Sequence, residues 1–282
     1  MRLAFTFLGV TLIVLGVLYH FAALRVFNLL VPKDRDAQRT GVDLAYGDAP
    51  RQRLDLYAPV AAPGRGPLPV LLFIYGGSWD SGRKEDYAFA GRAFAARGFL
   101  TAIADYRLVP DVHYPEFVDD TALALEWLCA HATDFGGDPA RIFFAGHSAG
   151  AYSAVQTVLR NGLGNHVRAV ASLAGPFDFL PLDSPKTIAA FGKVGNLAET
   201  QPVNADLSSA PPMLLLHGED DETVGLHNSW NLYARSIGAG RRPELLFYKG
   251  IGHVGILLAL AKPLRWRASV LDDVVGFFQR YD

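Results

Sequence analysis

Residues 146–150, Gly146-His147-Ser148-Ala149-Gly150, set a serine between two glycines, with an apolar, strand-like run at 142–145 before it and a helix-like run at 149–159 after it. Strand, sharp turn and helix around Gly-x-Ser-x-Gly make a nucleophile elbow, with the serine at its apex. The backbone of such a serine is strained, and side chains in place of the glycines would collide with the flanking strand and helix. The result is a hydroxyl held in the open near a helix N-terminus, whose amides favour negative charge. A plain Gly-Ser turn competes as a reading of the five residues alone. The strand before and the helix after favour the elbow.

A serine hydroxyl is a weak nucleophile until a base takes its proton. Of the eight histidines, His253 is the candidate base: it ends the glycine-rich Lys249-Gly250-Ile251-Gly252-His253 loop after the last strand. That position fits the chain order serine, acid, histidine. His147 lies inside the elbow and should diverge from Ser148, and His217 ends a strand before Gly218. The base needs a carboxylate to set its tautomer and stabilise the imidazolium. The loop His217-Gly218-Glu219-Asp220-Asp221-Glu222 carries four acids after the strand at 213–216. Asp221 is preferred and Asp220 is the alternative; spacing from the strand end does not decide between them. The tetrahedral intermediate needs an oxyanion hole of backbone N–H groups. One is that of Ala149, the residue after the nucleophile. Gly77 and Ser78 are the other candidates, in Tyr75-Gly76-Gly77-Ser78-Trp79, where two glycines let the backbone approach an acyl oxygen.

These groups need a sheet to carry them. Strand patterns occur at 42–46 and 54–57, an opening hairpin, and at 70–74, 100–104, 142–145, 167–173, 213–216 and 245–248. Helical patterns occur at 87–96, 118–130, 149–159, 228–237 and 269–281. This alternation predicts an α/β fold with a mainly parallel central sheet and helices on both faces. Functional groups should gather at the carboxyl ends of the strands. The 282 residues, half of them hydrophobic, suffice for one large core. A net charge of −2 offers no basic footprint for nucleic acid. The single cysteine, Cys129, can form neither an internal disulfide nor a zinc site and reads as a small buried apolar residue.

Residues 3–18 form an apolar run without a charge, continuing to Leu24 before Arg25 breaks it. That run predicts a single membrane span preceding the catalytic domain. A cleaved signal peptide, with a secreted or periplasmic product, is the alternative. The expected division is a membrane anchor or signal-like helix at 1–31, a linker at 32–41 and a catalytic domain at 42–282. Residues 21–31 are expected to form an amphipathic interface helix with Arg25 and Asn28 toward the headgroups. Basic residues after the span favour a cytoplasmic catalytic domain by the charge rule, which long domains can override.

With these pieces, residues 42–281 resemble the α/β-hydrolases, specifically the esterase/lipase group whose oxyanion loop reads His-Gly-Gly-x-Trp-x-x-Gly. Gly76, Gly77, Trp79 and Gly82 match; Tyr75 stands in place of the histidine. The backbone donors survive that departure, but a hydrogen bond bracing the loop is altered. Asp105-Tyr106-Arg107-Leu108, Pro115, Asp120 and Trp127 match a further segment and the helix after it. The elbow has the Gly-His-Ser-Ala-Gly form, which is similar to the feruloyl-esterase-like and formamidase-like branches. The group's His-Gly-x-x-Asp-x-x-Val acid loop maps onto His217, Gly218, Asp221 and Val224, and so selects Asp221 over Asp220. Gly252-His253 matches its Gly-His.

The resemblance implies a serine hydrolase that cleaves carboxylic esters through an acyl-enzyme, using Ser148, His253 and Asp221, without metal or organic cofactor. Specificity should come from 175–211, where Phe177, Phe179 and Phe191 could wall an acyl pocket, with Tyr75 and Trp79 adding aromatic walls. Aromatic residues at such positions are core at least as often. The segment is too short for a large cap, so small to medium esters are expected. An amidase, formamidase or peptidase on the same triad is the second reading, and a non-catalytic binding module the third. The sequence sets no oligomeric state.

Overall fold

The computed structural model describes residues 23–61, 66–160 and 162–282. Apolar runs without polar interruption form its central strands. β3 (Leu68–Ile74), β4 (Leu100–Ala104), β6 (Ala169–Leu173) and β7 (Met213–Gly218) are buried along almost their whole length. Strands covered on both faces have no solvent side on which to alternate. β1 (Ala37–Ala45), at an edge, is mostly exposed. With β2 (Arg53–Pro59), β5 (Gly137–His147) and β8 (Glu244–Tyr248), these make one eight-stranded sheet in the order β1-β2-β4-β3-β5-β6-β7-β8. The sheet is mixed: β1, β2 and β4 pair antiparallel, and pairing is parallel from β4 through β8.

Helices cover both faces. α1 is described over residues 23–30. α2 (Ala88–Ala95) and α8 (Val270–Gln279) pack on one face; α3 (Glu116–His131), α4 (Ala149–Arg160) and α6 (His227–Gly238) cover the other. α5 (Pro185–Phe191) and α7 (His253–Leu258) have seven and six residues. Both are too short for a helical hydrophobic period to register in sequence. The stretch read as a linker, 32–41, is part of this body: Asp34 makes a two-pronged pair with Arg265 at 2.9 and 2.6 Å, and β1 begins at Ala37.

The expected N-terminal membrane span is corrected. Among the described residues no helix is long and apolar enough to cross a membrane. The run at 3–18 lies outside the described residues. The membrane partner and membrane localisation expected from that run have no spanning helix behind them among the described residues, and nothing described bears on the alternative of a secreted product. α1 docks on the hydrolase body: Leu24 and Phe27 pack against the core, and Phe27 meets Phe89 edge-on at 5.4 Å. Asn28, expected to face headgroups, instead accepts from the Phe89 amide at 3.1 Å and donates to the Glu85 carbonyl at 2.8 Å. It thus serves an amide of the first turn of α2 that has no partner within the helix. Asn28→Ala should lower stability by roughly 1 kcal/mol, read as a shift in the urea midpoint. An unchanged midpoint would show that α1 contributes no docking energy through this contact.

Candidate active site

β5 delivers the elbow. Ser148 follows its last residue at φ 54° and its amide donates to the Leu173 carbonyl of β6 at 2.9 Å. The flanking glycines are required by close approach. A Cβ on Gly146 would lie 2.4 Å from the Gly150 carbonyl oxygen, and one on Gly150 only 2.1 Å from that of Ile74. The N-terminus of α4 is therefore pressed against the ends of β3 and β5, and Ser148 is held in the left-handed region by its surroundings.

Three strand ends bring the relay together. Ser148 Oγ lies 2.8 Å from His253 Nε2, and His253 Nδ1 lies 2.8 Å from Asp221 Oδ2. The carboxylate accepts, so Nδ1 carries the proton and Nε2 is left to accept from the serine. His253 opens α7 just after β8, and Asp221 lies in the loop after β7. The Asp221 side chain is fully buried, whereas Asp220 is exposed. The Asp220 and Glu219 amides donate to the Ile251 and Tyr248 carbonyls, zipping the acid loop to the histidine loop. Asp221 Oδ1 accepts from the Thr223 and Val224 amides at 2.9 and 2.8 Å. Burial opposes the Asp221 charge, but hydrogen bonds from His217, His253 and the Val224 amide hold its carboxyl well below the usual carboxylate range.

Sequence reasoning missed the part His217 plays here. Its Nε2 lies 2.8 Å from the Val224 carbonyl and 3.2 Å from Asp221 Oδ2, while Nδ1 meets Ser229 Oγ at 2.7 Å. A carbonyl only accepts, so Nε2 is the protonated nitrogen and a second donor to the acid. The position of His217 at a strand end, four residues before Asp221, was the available signal. His147 does diverge from Ser148: its Nε2 donates to the His253 backbone carbonyl at 2.9 Å, tying the elbow to the base's own main chain.

The loop after β3 closes over the elbow. A Cβ on Gly76 would lie 2.9 Å from Ser148 Cβ. The chain then turns through φ 130°, 51° and 62° at Gly77, Ser78 and Trp79. Among the described residues none accepts a hydrogen bond from the amides of Gly77, Ser78 or Ala149. The rings expected as aromatic walls differ in exposure. Tyr75, Phe177 and Phe191 are wholly buried and Trp79 is 3% exposed, leaving Phe179 alone with appreciable surface. Trp79, Phe179, Phe191 and Tyr152 pack on one another, with centroids 4.8 to 6.2 Å apart. Large rings gain more by covering each other than by lining open space. Among the described residues no group of three His, Cys, Asp or Glu side chains is arranged to hold a metal ion.

A strained serine, a buried aspartate and a histidine, contributed in that order by strand ends of a mixed sheet, define the α/β-hydrolases, and the constellation is that of a serine hydrolase. Within that class the chain belongs to the BD-FAE family, whose model matches residues 54–235. It is 32% identical over 268 residues to the carboxylesterase NlhH of Mycobacterium tuberculosis, covering 85% of this chain and 81% of that protein. It is 30% identical over 275 residues to the probable isoprenylcysteine alpha-carbonyl methylesterase ICME of Oryza sativa subsp. japonica, covering 84% of this chain. The chain spans 63% of the length of that plant relative. Esterase B from Lactobacillus rhamnosis superposes with a TM-score of 0.81 at 17% identity, covering 95% of this chain and 94% of its own. A truncated carbohydrate esterase from gut microbiota gives a TM-score of 0.75 at 19% identity, covering 88% and 98%. At these identities the structural likeness speaks for the fold alone.

The buried His147 ring has an acid consequence. Burial, then the facing His253, pushes its imidazole down to about 3. The unfolded chain takes up this proton near pH 6.5 and the folded protein does not, so stability is full above 6.5 and is lost as pH falls toward 3. The loss should reach roughly 2 kcal/mol by pH 5. Replacing the ring by His147→Gln should flatten the dependence of the urea midpoint on pH between 6.5 and 4.5. Equal slopes in the two proteins would show that the ring titrates freely.

Proposed function

We propose that the protein is a serine esterase that hydrolyses carboxylic esters of small to medium acyl chain. The observation that carries this is the unbroken relay from Ser148 through His253 to Asp221, with both links at 2.8 Å. Ser148 attacks the ester carbonyl as His253 accepts its proton. The Gly77, Ser78 and Ala149 amides stabilise the oxyanion, and His253 then protonates the departing alcohol. Water, deprotonated by the same histidine, releases the acid from the acyl-enzyme. Asp221 stays ionised throughout and stabilises the imidazolium.

The names of the relatives, a carboxylesterase and a methylesterase, favour ester over amide substrates for this chain. The mutual packing of Trp79, Phe179 and Phe191 supports a short acyl group, because rings that fill one another's space leave little for a long chain.

Wild-type protein should hydrolyse p-nitrophenyl acetate and take a covalent label from a fluorophosphonate probe. Ser148→Ala should lose at least about a thousandfold in kcat and all labelling. A wild type inert to esters and to the probe would reject the proposal; turnover of anilides in preference to esters would transfer it to the amidases.

Phe179→Ala should raise kcat/KM for p-nitrophenyl hexanoate relative to acetate by about tenfold, the scale of one or two methylenes accommodated in a pocket. An unchanged ratio would mean that this ring does not bound the acyl site.

A further inference from the structure

The loop that should bind the oxyanion is held from outside by groups that take no part in the chemistry above. Arg51, in the turn between β1 and β2, sends Nη2 to two acceptors at once: Tyr75 Oη at 2.8 Å and the Gly82 carbonyl at 2.9 Å. One guanidinium therefore grips both ends of the loop. Its Nε donates to the Tyr106 carbonyl at 2.8 Å, which fixes the plane of the fork. The Tyr75 hydroxyl donates onward to Asp105 Oδ1 at 2.5 Å. That oxygen also accepts from the Lys84 amide at 2.8 Å and lies 3.5 Å from Arg51 Nη2.

The Tyr75 ring completes the clamp. It stacks on Tyr87 at 4.9 Å and sits 5.1 Å from the tilted Tyr106, whose hydroxyl donates to the Tyr75 carbonyl at 3.2 Å. Gly82 lies flat against it: a Cβ there would come within 2.6 Å of Tyr75 Cε2. Burial keeps the Tyr75 hydroxyl protonated, far above the ordinary phenol range, so it remains a donor.

Between the two gripped ends lie Ser78 and Trp79, both non-glycine residues at positive φ. Each such conformation is strained and persists only where the surroundings impose it. Donors to an oxyanion act only at about 2.7–3.1 Å from where its charge develops. A loop freed at one end would relax its strained residues and move those donors.

We propose that Tyr75, Arg51 and Asp105 form a positioning network that holds the oxyanion loop in its strained, productive shape. The proposal rests on the esterase reading. Tyr75 thereby takes the place of the histidine in the oxyanion-loop pattern that the sequence resembles, with its own partners in the β1–β2 turn and after the end of β4.

The test is p-nitrophenyl acetate hydrolysis by the full chain as wild type, Tyr75→Phe and Arg51→Lys, with active sites counted by fluorophosphonate labelling. Inhibition by a trifluoromethyl ketone, which forms an oxyanion on Ser148, is measured alongside, with thermal unfolding. Tyr75→Phe should lower kcat per labelled site about tenfold, leave KM within about twofold and weaken ketone inhibition by about the same factor as kcat. The midpoint of kcat against pH should stay in place, because the relay to His253 is untouched. Arg51→Lys keeps the charge but loses the fork, and should show the same split even where Tyr75→Phe does not fold. If the folded variants lose Tm but keep kcat per site and ketone affinity, the network is structural only and the proposal is overturned. Loss of turnover in Ser148→Ala beside an unaffected Tyr75→Phe would overturn this network while leaving the esterase reading intact. A wild type without turnover or label would overturn both.

Discussion

The contact between the Ser148 hydroxyl and the His253 imidazole joins residues 105 apart in the chain, and most of the architecture can be understood as what keeps that contact in place. Neither partner is held by local structure alone. Ser148 is fixed by β5, by its bond to β6 and by the pressure of α4 on β3. His253 is fixed by β8, by the zipping of its loop to the acid loop, and by the bond from His147 to its carbonyl. Adjacent parallel strands end near one another, so three loops can converge without any long excursion of the chain.

Burial and charge are balanced narrowly around this contact. Asp221 is taken out of water, which disfavours its ionised form, and is returned to that form by two histidines and two amides. Its other oxygen is thereby occupied, so it cannot swing away from His253. His147 is buried as a neutral ring, the opposite solution at a neighbouring position. The two histidine rings lie 4.9 Å apart. A neutral His147 leaves room for the single positive charge that the proposed reaction would create on His253, where a second cation would oppose it.

Much of this was legible before any coordinates. The elbow, the order of serine, acid and histidine, and the alternation of strands and helices all rest on patterns a few residues long. Each such pattern has a local physical reason, whether a forced turn or a strand hidden on both faces. Short helices such as α5 and α7 escaped because they carry too few residues for a period, and the early start of β1 escaped because residues 38–40 are polar and exposed. The apolar run at 3–18 suggested a membrane span, yet the helix that follows it puts Asn28 and Phe27 to work against α2 and the core. An amphipathic pattern says which face is apolar; it does not say whether lipid or protein covers that face.

The aromatic residues make the same point. Trp79, Phe179 and Phe191 were recognisable as large apolar groups near the site, and only their packing shows that they lie against one another. Arg51 carried no signal at all, because its meaning lies in reaching Tyr75 and Gly82, 24 and 31 residues away. By itself the amino-acid order singled out the serine and the histidine that the fold brings together, the class of fold and the glycines that let chain segments touch. The tertiary structure decided which of two adjacent aspartates is buried, what α1 packs against and how the loop is clamped. Those outcomes depend on contacts between segments far apart in the chain, and only the completed fold sets such distances.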